Sequence, residues 1–311
     1  MAILIASDFS AEEWADWWPA LVAALPGEQL VRAGDEVERE AIDVALVANP
    51  PVGALQSLPR LRFIQSLWAG VDRLLLDASV PSAVPLARMV DPMMNTTMAQ
   101  TALWAVLGLH RRFFHYAWQQ RAAQWQQHAL LRADEIHVAV LGLGQMGRTA
   151  ARTLAHHGYR VAGWSANPAT VEGVATSNGD AALKAVLAGA HIVVNLLPLT
   201  PATRGLFNAH TLAQMRPGAS LVNLARGAHV VDADLIEALD SGHLQHAVLD
   251  VFSTEPLPAD HPYWRHAQVT VLPHVAAQTD PRSAARIAAD NVRAFRAGRV
   301  PSNLVDRTRG Y

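Results

Sequence analysis

Residues 138–150, VAVLGLGQMGRTA, run from an apolar stretch through Gly142, Gly144 and Gly147 into a helical pattern. No other segment constrains the fold as tightly. A strand that passes through a G-x-G-x-x-G turn and opens a helix is the context in which such glycines carry meaning. Gly142 allows the tight turn, Gly144 lets backbone approach a pyrophosphate, and Gly147 lets the helix pack closely on its strand. The anion then rests on free N–H groups at the helix N-terminus, beside Gln145 and Met146, where the helix dipole favours it. The spacing predicts a dinucleotide site.

The rest of the chain repeats the theme. AILIA (2–6), IDVALVA (42–48) and LRFIQSL (61–67) read as strands in the first part, with a helix over 11–25. IHVAVLG (136–142), YRVAGW (159–164), HIVVNLL (191–197), ASLVNLA (219–225), HAVLDVF (246–252) and QVTVLP (268–273) follow in the second. Helices are expected over 145–158, 180–189, 208–216 and 232–242. Alternation of this kind predicts an α/β fold with parallel sheets covered by helices. Strands dominated by Val, Ile and Leu, with no clean alternation, are those buried on both faces. DVALVANPP (43–51) echoes HIVVNLLPLTP (191–201), and each precedes a strand ending in Ala-Gly or Arg-Gly. Two related halves and chance similarity between βα units both explain the echo. Residues 98–134 differ: a long helical pattern, read as an interdomain helix, leads into FFHYAWQQRAAQWQQH, read as an arm whose Trp118 and Trp125 would face a partner subunit or else cover the chain's own core.

Composition removes several classes of function. Of 311 residues, 51% are hydrophobic, enough for a sizeable core in two domains. The net charge of −2, without any Lys/Arg run, predicts no nucleic-acid surface. The absence of cysteine excludes disulfides, thiol catalysis and cysteine-bound zinc, and fits a reducing, cytoplasmic compartment. No metal site is expected. The longest apolar stretches are broken by His110, Arg111, His191 and Asn195, so no membrane span is expected, and MAILIASDF reads as a first strand and not a signal peptide.

Two further features bear on chemistry. After the second strand of the dinucleotide unit comes GWSANP, with Trp164, Ser165, Ala166 and Asn167, where a carboxylate would select NAD. With no carboxylate to repel a 2′-phosphate, and with Ser165 and Asn167 able to donate to one, the stretch tilts toward NADPH and leaves NADH possible. Arg148 and Arg160 are the cationic candidates nearby. Secondly, Arg226, Glu255 and His274 each follow the C-terminal end of an expected strand, where open α/β sheets bind ligands. A hydride-transfer site for a 2-oxo acid needs a fixed cation, a proton donor and a carboxylate that orients the donor. Arginine grips a carboxylate bidentately, and histidine titrates near neutrality. Each residue also has an ordinary reading: there are 14 histidines, Glu255 precedes a proline, and Arg226 could cap a helix or pair with Asp232.

GLGQMG, NLARG, LDVFSTEPLP and LPHVAAQT, in this order, resemble the D-isomer-specific 2-hydroxyacid dehydrogenase family over nearly the whole chain. GWS, LARGAHVVDADLIEALDSGH and the terminal DRTRGY resemble its glyoxylate and hydroxypyruvate reductase branch. The resemblance implies two Rossmann-like or flavodoxin-like domains with a cleft between them. Residues 1–98 plus 280–311 would bind substrate, and residues 99–279 would bind the nucleotide. It implies NAD(P)H-dependent reduction of a small 2-oxo acid and a homodimer built through the nucleotide-binding domain. Arg226 and His274 match the family's catalytic pair, and Glu255 the carboxylate supporting the histidine. Within LWAGVD, backbone N–H groups near Trp68, Ala69 and Gly70 would hold the substrate carboxylate. Leu197, Pro198 and Ala225 would line the cofactor with Trp164 and Ser165, and Asp250 would lie near the nicotinamide carboxamide. Two departures stand out: Ala166 where an arginine often follows the serine, and Trp68 where a smaller residue is common. Three other readings stay open. A reductase for bulkier acids such as phenylpyruvate would use Trp68, Met93, Met94 and Trp264. A relative acting on formate or phosphite would need the same arginine and histidine. A non-catalytic dinucleotide sensor would keep the fold.

Overall fold

The computed structural model describes residues 1–36 and 38–310, so Tyr311 of the terminal motif lies outside the described residues. The chain forms two compact units, Met1–Met93 with Thr279–Tyr311, and Met94–Gln278. In chain order, the first unit holds β1 (Ala2–Ser7), α1 (Ala11–Ala24), β2 (Gln29–Arg32), β3 (Ile42–Ala48), β4 (Phe63–Ser66), α2 (Asp72–Leu76) and β5 (Leu86–Ala87). Helix α3 (Pro92–His110) carries the division in its first turn, a few residues before the expected boundary at 98. The second unit continues with α4 (Phe113–Arg121), β6 (His137–Leu141), α5 (Gln145–His156), β7 (Arg160–Trp164), β8 (Ala175–Ser177) and α6 (Asp180–Gly189). Then come β9 (Ile192–Asn195), α7 (Ala209–Ala213), β10 (Ala219–Asn223), α8 (Asp232–Asp240), β11 (Leu244–Leu249) and β12 (Val269–Val271). Helix α9 (Pro281–Arg296) returns the chain to the first unit.

Both sheets are parallel throughout. The first unit has the order β2-β1-β3-β4-β5. The second has β12-β11-β10-β9-β6-β7-β8. All seven residues of β3 and all of β9 and β10 are buried, as expected of strands covered on both faces. The echoing segments occupy equivalent places. β3 lies beside the first strand of its sheet and β9 beside the first strand of the other, and the strands ending in Ala-Gly and Arg-Gly come next, β4 and β10.

Local sequence sets the element ends. Ser10 and Glu13 form a reciprocal capping box at α1, and Asp280 caps α9 with Pro281 in its first turn. α5 is capped by Gly144 in extended conformation, and its buried face is Gly147, Ala150, Ala151 and Leu154. Small residues on that face let α5 lie close to β6 and β7. No helix among the described residues is long and apolar enough to cross a membrane.

Candidate active site

The cofactor cradle lies where the strand order of the second sheet reverses, between β6 and β9. Ligands of open α/β sheets bind outside the carboxyl ends at such a point. Gly142 has φ 95°, and a Cβ there would stand 2.5 Å from the Leu196 carbonyl oxygen. A Cβ on Gly147 would stand 1.7 Å from the Gly142 oxygen. These two glycines are required by the fold itself. Gly144 is different: a Cβ there would meet nothing within 4 Å, so it opens onto vacant space at the helix N-terminus. The N–H groups of Gln145 and Met146 have no acceptor among the described residues. Open space, free donors and the positive end of a 12-residue helix fit a pyrophosphate.

Several neighbours depart from the sequence reading. The Trp164 side chain is buried in the core and donates to the Gly179 carbonyl at 2.9 Å. It touches the cradle only through its own carbonyl, which accepts the Gly142 N–H at 2.8 Å. The Ser165 hydroxyl donates to the Asn167 carbonyl, so its hydrogen is already engaged. Arg148 donates to the carbonyls of Leu143 (2.8 Å) and Thr170 (3.2 Å), which makes it a brace of the glycine loop. Arg160 begins β7 opposite His137, at the far end of the sheet from the cradle. Arg160 therefore lies away from the cradle, and Arg148 has two of its guanidinium nitrogens engaged. On the other side of the cradle, Leu197 is buried and its N–H donates to Asn195 Oδ1 at 3.3 Å. The Pro198 carbonyl accepts from Thr203 Oγ1 at 2.7 Å.

Arg226, Glu255 and His274 emerge beyond β10, β11 and β12, three neighbouring strands of the same sheet. His274 Nδ1 and Glu255 Oε2 are 2.7 Å apart. The other Glu255 oxygen accepts the Phe252 N–H at 2.8 Å, which fixes the carboxylate. His274 Nε2 has no partner among the described residues and is the ring atom left for a ligand. The hydrogen bond to Glu255 raises the imidazole above its ordinary value; burial and Arg226 oppose it, while the Glu255 and Asp250 charges add to it. For Glu255, burial pushes the carboxyl up, but the bonds from His274 and Phe252 and the charges of His274 and Arg226 outweigh it and leave it low. The pair therefore favours imidazolium and carboxylate. Arg226 Nη1 donates to the Ala225 carbonyl at 2.7 Å. Asp232 accepts from Tyr263 Oη at 3.0 Å and lies 3.6 Å from His261 Nε2.

Two contributors were not legible as such. His274 sits in the left-handed region at φ 55°. Asp250 holds it there: its carbonyl accepts the His274 N–H at 2.9 Å, and its two carboxylate oxygens accept the N–H groups of Val275 (2.7 Å) and Ala276 (3.0 Å). The Asp250 side chain is buried and anchors the histidine loop, beyond the contact expected of it with a nicotinamide. Burial raises its pKa, against the two backbone bonds. Gly227 is the second. A Cβ on it would lie 1.8 Å from the Phe252 carbonyl carbon, so glycine after Arg226 lets the loop following β10 press against the loop carrying Glu255.

In the first unit, the loop after β4 carries Trp68, Ala69 and Gly70. The Trp68 N–H is spent on Ser66 Oγ at 3.1 Å, and its ring packs edge-on to Phe9 and Trp17. The N–H groups of Ala69 and Gly70 have no acceptor among the described residues. Of the three expected donors, two are open.

Comparison with known proteins agrees with this chemistry. Residues 103–276 match the D-isomer specific 2-hydroxyacid dehydrogenase, NAD binding domain. The chain is 41% identical over 308 residues to glyoxylate/hydroxypyruvate reductase A of Serratia proteamaculans, covering 97% of each. It is 37% identical to the protein of that name from Yersinia enterocolitica, again covering 97% of each. Among solved structures it is similar to a D-isomer specific 2-hydroxyacid dehydrogenase of Xanthobacter autotrophicus in complex with NADPH and MES. That match has 43% identity, a TM-score of 0.94 and coverage of 100% and 99%. It is also similar to an NADPH-dependent glyoxylate/hydroxypyruvate reductase of Sinorhizobium meliloti in complex with NADP and sulfate, with 34% identity, a TM-score of 0.92 and the same coverage.

Proposed function

The chain belongs to the D-isomer specific 2-hydroxyacid dehydrogenase family, and from that premise we propose that it reduces a small 2-oxo acid with NADPH, glyoxylate to the achiral glycolate or hydroxypyruvate to the D-2-hydroxy acid. The observation that carries the reading is the His274–Glu255 pair at 2.7 Å, poised with a free Nε2 in the unit that also holds the glycine cradle. When bound, the reduced nicotinamide supplies hydride to C2 of the oxo acid. His274 gives its Nε2 proton to the oxygen that gains charge. Glu255 holds the other ring nitrogen and keeps the ring charged until that transfer. Arg226 steadies the substrate and offsets the developing negative charge. Ala69 and Gly70 offer their free N–H groups to the substrate carboxylate.

NADPH is favoured over NADH because no carboxylate ends β7 to repel a 2′-phosphate, and relatives from Xanthobacter and Sinorhizobium hold NADPH or NADP. A homodimer through the second unit belongs to the same proposal. Trp125 is 95% exposed in the single chain, and Phe113, Trp118, Leu130 and Leu131 of the same segment are exposed too. Such a patch is what a partner subunit covers. We place the enzyme in the cytoplasm, where reduced nicotinamide is available. The test is loss of reduced-nicotinamide absorbance with glyoxylate or hydroxypyruvate, NADPH and NADH run in parallel. Rapid loss with NADPH and slower loss with NADH is expected. Equal loss with both removes the cofactor preference, and no loss across a panel of 2-oxo acids removes the reaction.

A further inference from the structure

Most half-buried arginines of this protein are visibly neutralised or hydrogen-bonded. Arg296 pairs with Glu28 at 3.1 Å and with Asp43. Arg307 donates to the Pro81 (3.1 Å) and Val84 (3.0 Å) carbonyls, and Arg148 to two carbonyls of its own unit. Arg88 breaks the pattern. It is half-buried, yet its guanidinium makes no hydrogen bond, ion pair or ring contact among the described residues. Only its backbone N–H is used, donating to the Asn303 carbonyl at 3.0 Å. Its nitrogens are not sealed away as unsatisfied buried atoms. Burial alone lowers its pKa, with no carboxylate to offset it. A partly desolvated cation without a counter-charge is unfavourable unless something brings one.

The position of Arg88 says what that is. It follows β5, whose Leu86 and Ala87 pair with Ile64 and Gln65 of β4. The next residue, Met89, donates its N–H to the Trp68 carbonyl at 3.1 Å. The segment holding Arg88 therefore runs directly beside the loop holding the two open N–H groups of Ala69 and Gly70, at the carboxyl edge of the same sheet. Gln65 meets Asn291 of α9 at 2.7 Å, so by strand alternation Ala87 shares the α9 face and Arg88 lies on the opposite one.

We propose that Arg88 is the charge partner of the substrate carboxylate, acting with the Ala69 and Gly70 N–H groups. This rests on the 2-oxo acid reading and deepens it. The neutral donors orient the carboxylate and Arg88 neutralises it. The substrate class narrows to 2-oxo acids that carry an ionised carboxylate at C1, against the corresponding amides and esters.

Arg88→Gln and Arg88→Lys test this by steady-state kinetics and by thermal shift with oxamate, an unreactive 2-oxo carboxylate analogue. Arg88→Gln should raise KM for glyoxylate roughly 10- to 100-fold, the range of one hydrogen bond to a charged group. It should change kcat less and leave the NADPH Kd unchanged. Arg88→Lys, which keeps the charge without the fork, should recover part of the loss. The preference for glyoxylate over its amide should shrink in Arg88→Gln. On the NADPH-loaded protein, the rise in melting temperature given by oxamate should vanish in Arg88→Gln and persist in His274→Asn. Unchanged KM together with an undiminished oxamate shift overturns the assignment. If wild type turns over no 2-oxo acid but its oxamate shift still depends on Arg88, the reaction fails and the anion site stands. Should Arg88→Gln not fold, Arg88→Lys with wild-type KM, amide discrimination and oxamate shift overturns it alone.

Discussion

His229 is fully buried, and its ring ties the segment after β9, one side of the cofactor cradle, to the backbone of Arg226. Nδ1 lies 3.1 Å from Asn195 Nδ2 and 3.1 Å from the Arg226 carbonyl, and Nε2 lies 3.3 Å from the Pro198 carbonyl. A neutral ring protonated on Nε2 donates to Pro198 and accepts from Asn195. Asn195 in turn donates to Asn223 Oδ1 at 2.9 Å, and Asn223 Nδ2 donates to the Arg226 carbonyl at 3.0 Å. His229→Phe keeps the ring volume and removes both bonds. Each net bond is worth about 1 kcal/mol, and the buried Asn195 amide is left one partner short. The sum is about 2–3 kcal/mol, because Pro198 keeps Thr203 and Asn195 keeps Asn223. For a unit of this size each kcal/mol shifts melting by about 2–4 °C, so the unit carrying His229 should melt roughly 5–10 °C lower by calorimetry. Asn195→Leu removes the other side of the same bond. The double variant should lose about 1 kcal/mol less than the sum of the two singles. Turnover should fall in both singles, with cofactor affinity falling further in Asn195→Leu, which frees the Leu197 N–H. A melting temperature within about 1 °C of wild type for His229→Phe, or strict additivity of the two losses, would refute the network as an energetic unit.

Reduction should weaken as pH rises through the His274 pKa, which lies above the ordinary histidine value; Glu255→Gln removes its main support and should move the inflection of kcat/KM to lower pH. The same raised pKa means the pair adds stability below the unfolded histidine value and loses it as pH rises through the folded one, which a melting series across neutral pH reads directly. Gly147→Ala and Gly144→Ala should separate fold from ligand: the first places a methyl 1.7 Å from a backbone oxygen and should destabilise by about 3 kcal/mol or more, whereas the second meets nothing, should melt like wild type and should bind NADPH more weakly. Trp125→Ala should lower the sedimenting mass of the proposed dimer toward that of a monomer at micromolar concentration; a monomeric wild type removes the dimer, and an unchanged dimeric mass separates the aromatic arm from the interface.

The sheets were legible wherever a strand is buried on both faces. β3, β6, β9 and β10 announce themselves as runs of Val, Ile, Leu and Ala. The strands that escaped are edges or next to nothing: QLVR of β2, the two residues of β5 and ATS of β8. An edge strand needs less apolar surface, and its identity comes from the neighbour it pairs with. The long helical pattern and the arm after it part at Arg112, whose φ of 57° separates α3 from α4. Within the site, the residues at strand tips could be found because function is concentrated there. Gly227, His229 and the loop-anchoring role of Asp250 could not, since they depend on backbone groups 25, 31 and 25 residues away. His229 reads in sequence as one polar residue in GAHVV, and only the fold shows that it is wholly enclosed.

The order of the three polar residues is itself a product of the fold. β10, β11 and β12 are laid side by side in chain order, because each parallel crossover returns to the next position on the sheet. Asn223, Leu249 and Val271 stand in register across them, and Arg226 and His274 each follow three residues beyond. Neighbouring parallel strands are about 4.8 Å apart. Glu255 leaves the middle strand and must therefore fall between a guanidinium on one side and an imidazole on the other. That placement fixes the electrostatics without further design. The carboxylate is held ionised by both cations, and the histidine is held charged by a carboxylate that Arg226 alone would have drawn away. The Phe252 N–H and the close approach allowed by Gly227 keep Glu255 turned toward His274. A chain that interchanged the glutamate with the arginine would carry the same residues at the same sheet edge. It would set Arg and His side by side, depress the histidine and lose the proton donor.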